Sequence, residues 1–295
     1  MPTASTDVLE ITYEESGPSA GPPVLLLHGW PDSPRGLSAV AGHLATEGYR
    51  TITPYLRGFG PTRFRSPDAP RDGRGVALAK DALDLADALG IERFDVVGHD
   101  WGGRTAYTLA ALWPERVTSI AALALAFQPH AKFSVPTFGE ARLWWYQWFM
   151  TTEGGAEAVG RDPIGFARIQ WDTWSPPGWF DEAEFAETAK AFTNPDWAAV
   201  TLSAYRSRWR PETLDDRYAL LADKLTAVGH LSTPTLMIQG EADTCDPATA
   251  SEGLEACFTG PYRRLVLPGV GHFPAREAPS LVAEWLLKHF AALPG

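Results

Sequence analysis

A mostly parallel sheet wrapped by helices, with a helical cap inserted into it, is the architecture this chain of 295 residues predicts. Three observations carry that expectation. Short runs such as Val24-Leu25-Leu26-Leu27 are apolar without alternation, the mark of parallel strands covered on both faces. Strand-like and helix-like stretches alternate from Val24 to Phe127 and again from Thr235 to Phe290, the rhythm of an α/β sheet. Between these blocks, Pro129 to about Gly229 holds aromatic-rich helical stretches, a Pro176-Pro177 break and no convincing strand. The expected division is a core of residues 1–128 and 230–295 with a helical cap of residues 129–229.

Each element has a local reason. Asp7 to Glu15 reads as a first strand, placed at a sheet edge by its Thr and Glu content. Ser16 to Pro23 is a turn rich in Gly and Pro. The Val24–Leu27 strand ends in His28-Gly29-Trp30-Pro31, and Leu37 to Glu47 then puts Leu37, Val40, Ala41 and Leu44 on one helical face. Tyr49 to Pro54 is a short strand leading into Leu56-Arg57-Gly58-Phe59-Gly60, and Pro61 to Gly75 is a loop. Val76 to Leu89 is helical, with Leu78, Leu85 and Leu89 close to one stripe; Asp81, Asp84 and Asp87 fall mostly off it and read as a solvated acidic face. Gly90 caps that helix. Phe94 to Val97 is a strand, Arg104 to Leu112 a helix and Val117 to Phe127 a strand. After the interruption come strands at Thr235–Ile238 and Arg264–Leu267 and a terminal helix from Pro279 to Phe290.

Composition excludes several classes. The formal net charge of −11 argues against nucleic acid or an anionic membrane surface as partner. Met1 to Glu10 has neither a basic segment nor an apolar core, so no signal peptide is expected. The longest apolar run, Ile120 to Phe127, is far too short to span a bilayer. Cys245 and Cys257 form no disulfide framework or metal pattern, which fits a reducing cytoplasm.

The chemistry gathers at Gly98-His99-Asp100-Trp101-Gly102, which lies between a strand and a helix. A turn that sharp forces strained backbone on its central residue and brings strand and helix backbones together, hence the flanking glycines. Asp stands where such turns usually carry Ser. An ionised carboxylate can attack carbon without a base to take its proton. Asp243 and His272 lie at or just after later strand ends, where open α/β sheets form their sites. The order nucleophile, acid, histidine is that of α/β-hydrolases. Asp243 would orient and stabilise the imidazole, with Glu241 and Asp246 as rivals nearby. Oxyanion donors are expected from the backbone N–H groups of Trp101 and Trp30.

Gly98-His99-Asp100-Trp101-Gly102-Gly103, His28-Gly29-Trp30-Pro31, Arg57-Gly58-Phe59-Gly60 and Gly271-His272 together resemble the α/β-hydrolase-fold epoxide hydrolases, over nearly the whole chain. The resemblance implies a nucleophile Asp100, a base His272 oriented by Asp243, and two cap tyrosines that hydrogen-bond the epoxide oxygen. Tyr146, in Trp144-Trp145-Tyr146-Gln147-Trp148-Phe149, and Tyr205, in Ser203-Ala204-Tyr205-Arg206-Ser207-Arg208-Trp209, match those contexts. It implies an apolar epoxide substrate and no metal or organic cofactor; a homodimer is a candidate assembly. His28, Trp101, Arg104 and Trp148 are candidates to contact substrate, although His28 reads better as a loop-orienting residue and Arg104 as the partner of a structural acid. Twelve tryptophans, clustered between Trp144 and Trp209, suggest either an aryl-accommodating cavity or a cap core.

The sequence also departs from this pattern. Haloalkane and haloacetate dehalogenases share the Asp nucleophile. Trp30 stands at the usual dehalogenase Asn position, Trp101 at the first haloacetate Arg position, and Tyr146-Gln147 replaces a His-Trp pair; Arg104 does match the second Arg. Gly60-Pro61-Thr62-Arg63-Phe64 differs from the usual Gly-x-Ser ending of epoxide hydrolases. The expected activity is epoxide hydrolysis through an aspartyl ester. The alternatives are dehalogenation by the same pair, and a ligand-binding protein on a hydrolase scaffold.

Overall fold

The computed structural model describes residues 1–131, 136–210, 212 and 214–292. Its nine strands form one sheet: β1 (Thr3–Ser5), β2 (Leu9–Ser16), β3 (Pro23–Leu27), β4 (Arg50–Pro54), β5 (Arg63–Phe64), β6 (Phe94–His99), β7 (Val117–Leu123), β8 (Thr235–Gly240) and β9 (Tyr262–Leu267). The order is β1-β2-β4-β3-β6-β7-β8-β9, with β5 also paired to β2. From β4 to β9 every neighbouring pair is parallel, while β2 runs antiparallel to β1, β4 and β5.

The two-faced burial of the parallel strands explains their unbroken apolar runs. Leu25 and Leu27 of β3 pack with Val96 and with helices α2 (Gly75–Ala88) and α3 (Trp101–Leu112). Val24 and Leu26 point the other way, into a cluster with Val97, α1 (Ser38–Thr46) and the terminal helix α12 (Pro279–Ala291). Between β7 and β8 the described residues contain helices only: α4 (Phe138–Leu143), α5 (Trp145–Thr151), α6 (Glu153–Arg161), α7 (Pro163–Thr173), α8 (Glu182–Ala189), α9 (Trp197–Arg206) and α10 (Ala219–Thr226). A short α11 (Pro274–Glu277) precedes α12. No helix among the described residues is long and apolar enough to cross a membrane.

Three local expectations are corrected. The strand expected at Asp7–Glu15 is not an edge: β2 is paired on both sides, because Thr3–Ser5 folds back against it. The strand expected to reach Phe127 stops at Leu123, where Ala124 takes a φ of 55° and turns the chain. Asp81 is not on a solvated face. It is buried and binds the Arg57 guanidinium through two contacts of 2.6 Å, which the loop after β4 brings onto α2. Asp87 does keep to the surface, paired with Arg116 at 2.7 Å.

Candidate active site

Close backbone approach builds the turn that carries Asp100. The residue has a φ of 48° and a ψ of −108°, a conformation that costs a non-glycine residue about 1–3 kcal/mol. A Cβ on Gly98 would stand 2.0 Å from the Gly102 carbonyl oxygen, and one on Gly102 would stand 1.9 Å from that of Leu27. Only glycine at both positions lets β6, β3 and α3 meet so tightly. The Asp100 N–H donates to the Leu123 carbonyl at 3.0 Å, tying the turn to the end of β7.

The Trp30 N–H donates to Asp100 Oδ1 at 2.8 Å. Trp101 opens α3, so its N–H has no acceptor within that helix. The Trp30–Pro31 peptide is cis. His28, just upstream, is fully buried: its Nε2 accepts the Leu56 N–H at 3.2 Å, and its Nδ1 therefore donates to the Gly29 carbonyl at 2.9 Å. Burial pushes its pKa down to about 4, so the ring is a neutral brace between two loops.

His272 lies between β9 and α11, with Nδ1 2.8 Å from Asp243 Oδ2 and Nε2 3.8 Å from Asp100 Oδ2. Its loop is tightly held. Glu277 accepts the N–H groups of Gly271 and Phe273 at 2.7 and 2.9 Å and the Ser175 hydroxyl at 2.7 Å, while the His272 N–H donates to Ser175 Oγ at 2.8 Å. Asp243 Oδ1 takes the N–H groups of Cys245 and Asp246 at 2.7 and 3.0 Å, leaving Oδ2 for the imidazole. An ionised carboxylate only accepts, so His272 Nδ1 carries the proton. The rivals are placed elsewhere: Asp246 accepts the Ala126 N–H at 3.2 Å, and Glu241 is exposed and accepts the Gly269 N–H at 3.2 Å.

Electrostatics divide the roles. Burial penalises the Asp100 carboxylate, but His272, with the Trp30 N–H assisting, outweighs it and holds the pKa below the ordinary value. Burial likewise penalises the His272 imidazolium, yet Asp243 and Asp100 raise its pKa to about 10. Burial, first for Asp246 and then joined by the Asp243 charge, lifts that carboxyl to about 7.

Both sequence-nominated tyrosines are buried in the same aromatic cluster. Trp30 packs against Tyr146, Tyr205 and Trp101 with ring centroids 5.7, 5.1 and 6.3 Å away. The two phenols are edge to face at 5.3 Å. The Trp101 indole N–H donates to Tyr205 Oη at 3.1 Å, and the Gln147 amide donates to Tyr146 Oη at 3.2 Å. Burial drives both phenol pKa values well above the usual 10, so each keeps a proton to give. Trp148 instead packs on Trp209 with centroids 4.2 Å apart and donates to the Ala141 carbonyl. Arg104 stands one helical turn beyond Asp100 and donates to the Gln128 side-chain oxygen at 2.5 Å. Trp171, Trp174 and Trp197 are buried in the main apolar core, the packing half of the two readings of the tryptophan cluster.

Sequence reasoning passed over Ser175 and Glu277, which hold the His272 loop, and Gln147, which holds Tyr146. Gln147 was legible only as the neighbour of a chosen tyrosine. Ser175 carries no local signal because His272 lies 97 positions away; Glu277 lies only four and six residues from Phe273 and Gly271, but its role shows only once that loop folds back over it.

Comparison with known proteins bears on the fold that carries these residues. The profile of the alpha/beta hydrolase fold family matches residues 22–279. The crystal structure of a proposed epoxide hydrolase from Klebsiella pneumoniae superposes with a TM-score of 0.92 at 38% identity, covering 98% of this chain and 96% of that one. Epoxide hydrolase A of Mycobacterium tuberculosis is 27% identical over 98% of this chain and 96% of its own length. Fluoroacetate dehalogenase of a Burkholderia species is 32% identical, over 64% of this chain and 63% of its own. With strand order, the strained turn at Asp100 and profile in agreement, the chain belongs to the α/β-hydrolase fold family.

Proposed function

We propose that the enzyme hydrolyses an apolar epoxide to a vicinal diol through an ester on Asp100. The observation that carries this reading is the pairing of two buried, protonated tyrosines with an ionised carboxylate held by Trp30. Ring opening makes an alkoxide, and a proton donor opposite the nucleophile is what an epoxide requires. A dehalogenase needs no such donor. The epoxide hydrolases among the relatives support the same choice.

The geometry supports the following steps. Oδ1 is occupied by the Trp30 N–H, so Oδ2 attacks the ring carbon. The carbon–oxygen bond breaks and the oxygen takes a proton from Tyr146 or Tyr205. Oδ1 is then the ester carbonyl oxygen, already on its Trp30 donor, with the Trp101 N–H as the second. Water loses a proton to His272 Nε2 and attacks the ester carbon, with Asp243 steadying the imidazolium. Collapse frees the diol and restores the carboxylate, and the proton on His272 balances the one the tyrosine gave. His28 serves this site by bracing the Trp30 loop, Trp148 by packing the cap and Arg104 by holding the Gln128 side chain beyond β7. Residues 129–229 act as the cap, in a cytoplasmic enzyme for which a homodimer is the proposed assembly.

The test is intact-protein mass after mixing His272→Gln with aryl and alkyl epoxides, haloalkanes and haloacetates. The expected outcome is a gain equal to the whole epoxide, localised to Asp100. A gain equal to substrate less hydrogen halide would replace this reading with dehalogenation.

A further inference from the structure

Cys245 stands two residues past Asp243, in the loop after β8, and meets both halves of the site. Its backbone N–H donates to Asp243 Oδ1 at 2.7 Å, and its carbonyl accepts the Trp144 indole N–H at 3.0 Å. Its Sγ lies 3.7 Å from Tyr146 Oη. The thiol, Tyr146 and Gln147 are all buried. The loop that supplies the acid behind His272 therefore also touches a phenol of the cap.

Neighbouring groups set the direction of the Tyr146 proton. The Gln147 side-chain oxygen accepts from the Arg208 guanidinium and from the Trp209 indole N–H, both at 3.3 Å. Guanidinium and indole groups only donate, so the amide oxygen faces them and the amide NH2 faces Tyr146, 3.2 Å from Oη. An amide NH2 does not accept, so the phenol O–H points elsewhere. Among the described residues the other polar atom on Oη is Cys245 Sγ. A thiol is both a weak acceptor and a weak donor. It can hold the phenol hydrogen without competing strongly for it, and it can turn its own hydrogen to the oxygen once that proton has left. Burial, then the Asp243 and Asp100 charges, push the Cys245 pKa well above the ordinary thiol value, so the S–H is there to donate. Tyr205 is served differently, with its Oη accepting the Trp101 indole N–H.

We propose that Cys245 is a positioning residue for Tyr146: its thiol accepts the phenol O–H in the resting site and donates to the phenolate after the epoxide oxygen has taken that proton. The proposal rests on the epoxide reading for the step it serves. As Asp100 Oδ2 bonds to the ring carbon, the carbon–oxygen bond breaks, its electron pair stays on the ring oxygen, and that oxygen takes the Tyr146 proton. The phenolate then keeps two donors, the Gln147 N–H and the Cys245 S–H. The proton that water later gives to His272 balances the one Tyr146 lost.

Single-turnover fluorescence with an aryl epoxide separates ester formation from ester hydrolysis. Cys245→Ala is expected to slow ester formation by about tenfold, the lower end for a hydrogen bond to a charged group. It is expected to spare ester hydrolysis, because the N–H that holds Asp243 belongs to the backbone. In Tyr146→Phe the same substitution is expected to add nothing, and in Tyr205→Phe its full effect is expected to persist. Cys245→Val, which fills the thiol's place without its proton, supplies the same comparison if the alanine variant does not fold. Equal slowing of both steps, or an effect that survives in Tyr146→Phe, makes Cys245 a packing residue and overturns the proposal. The S–H stretching band of Cys245 reads the contact without turnover. Isolated as the infrared difference between each protein and its Cys245→Ala counterpart, it is expected to shift in Tyr146→Phe. A shifted band with no epoxide opened by the wild type would support the contact and overturn the epoxide reading. Epoxide opening with an unmoved band and no effect of Cys245→Ala would do the reverse.

Discussion

Replacing Asp100 by Asn tests the proposed conversion of His272 from a charged partner into a base. The substitution is isosteric and leaves an oxygen for the Trp30 N–H, but it removes the charge that stands 3.8 Å from His272 Nε2. At that distance and an effective dielectric constant of about 20, two unit charges interact by about 4 kcal/mol. At 1.36 kcal/mol per pKa unit, roughly 3 units of the His272 pKa depend on Asp100. The pKa of about 10 in the intact site is therefore expected to fall to about 7 in Asp100→Asn. In the proposed mechanism esterification of Asp100 removes the same charge, so the covalent intermediate would generate its own neutral imidazole. The assay is a histidine ring titration by NMR on both proteins, followed to alkaline pH. A difference below about one unit would refute the coupling and with it this account of base activation. Stability carries the same signature. A folded-state pKa raised above the ordinary value stabilises fully below about 6.5, and that contribution is lost as pH rises towards about 10. Wild type is thus expected to lose stability relative to Asp100→Asn across about pH 7 to 10 in denaturant titrations.

Packing and donor geometry set the remaining outcomes. Tyr205→Phe and Tyr146→Phe are each expected to slow ester formation by about a hundredfold, read by single-turnover tryptophan fluorescence; unchanged rates in both would exclude the phenols as acids. Tyr205→Phe also strands the donor-only Trp101 indole N–H, a loss of about 1–3 kcal/mol by denaturant unfolding. Gly98→Ala places a Cβ 2.0 Å from a backbone oxygen and is expected to cost about 3 kcal/mol or more. Gly42→Ala, inside α1 with nothing within 4 Å of the new carbon, is expected to stabilise by up to about 1 kcal/mol. Equal effects of the two would mean that the turn is not sterically tight.

What the sequence determined by itself was whatever depends on near neighbours or on chain order. The glycines around Asp100 were legible because a tight turn forbids a Cβ wherever it occurs, and the close contacts at Gly98 and Gly102 are that same steric fact. The parallel strands were legible because burial on both faces leaves no polar alternation, as Val24 to Leu27 show. The order Asp100, Asp243, His272 could be read as a linear pattern. The choice among Asp243, Glu241 and Asp246 could not, since a few residues separate them and only side-chain direction decides which carboxylate meets the imidazole.

Tertiary structure decided everything that needed a distant partner. Asp81 looked solvated because its helix offers it no partner, until Arg57 arrives from the preceding loop. The N-terminal strand looked like an edge because its cover, Thr3–Ser5, is too short to register as a strand. The apolar run after Ile120 split at Ala124 because the chain must leave the sheet there, freeing Leu125 and Phe127 to line a cavity. Arg104 and Arg208 are 104 positions apart in sequence, yet α3 and the chain just past α9 bring them to one wall. A pattern along a chain reports what each residue prefers, and only folding reports what it meets.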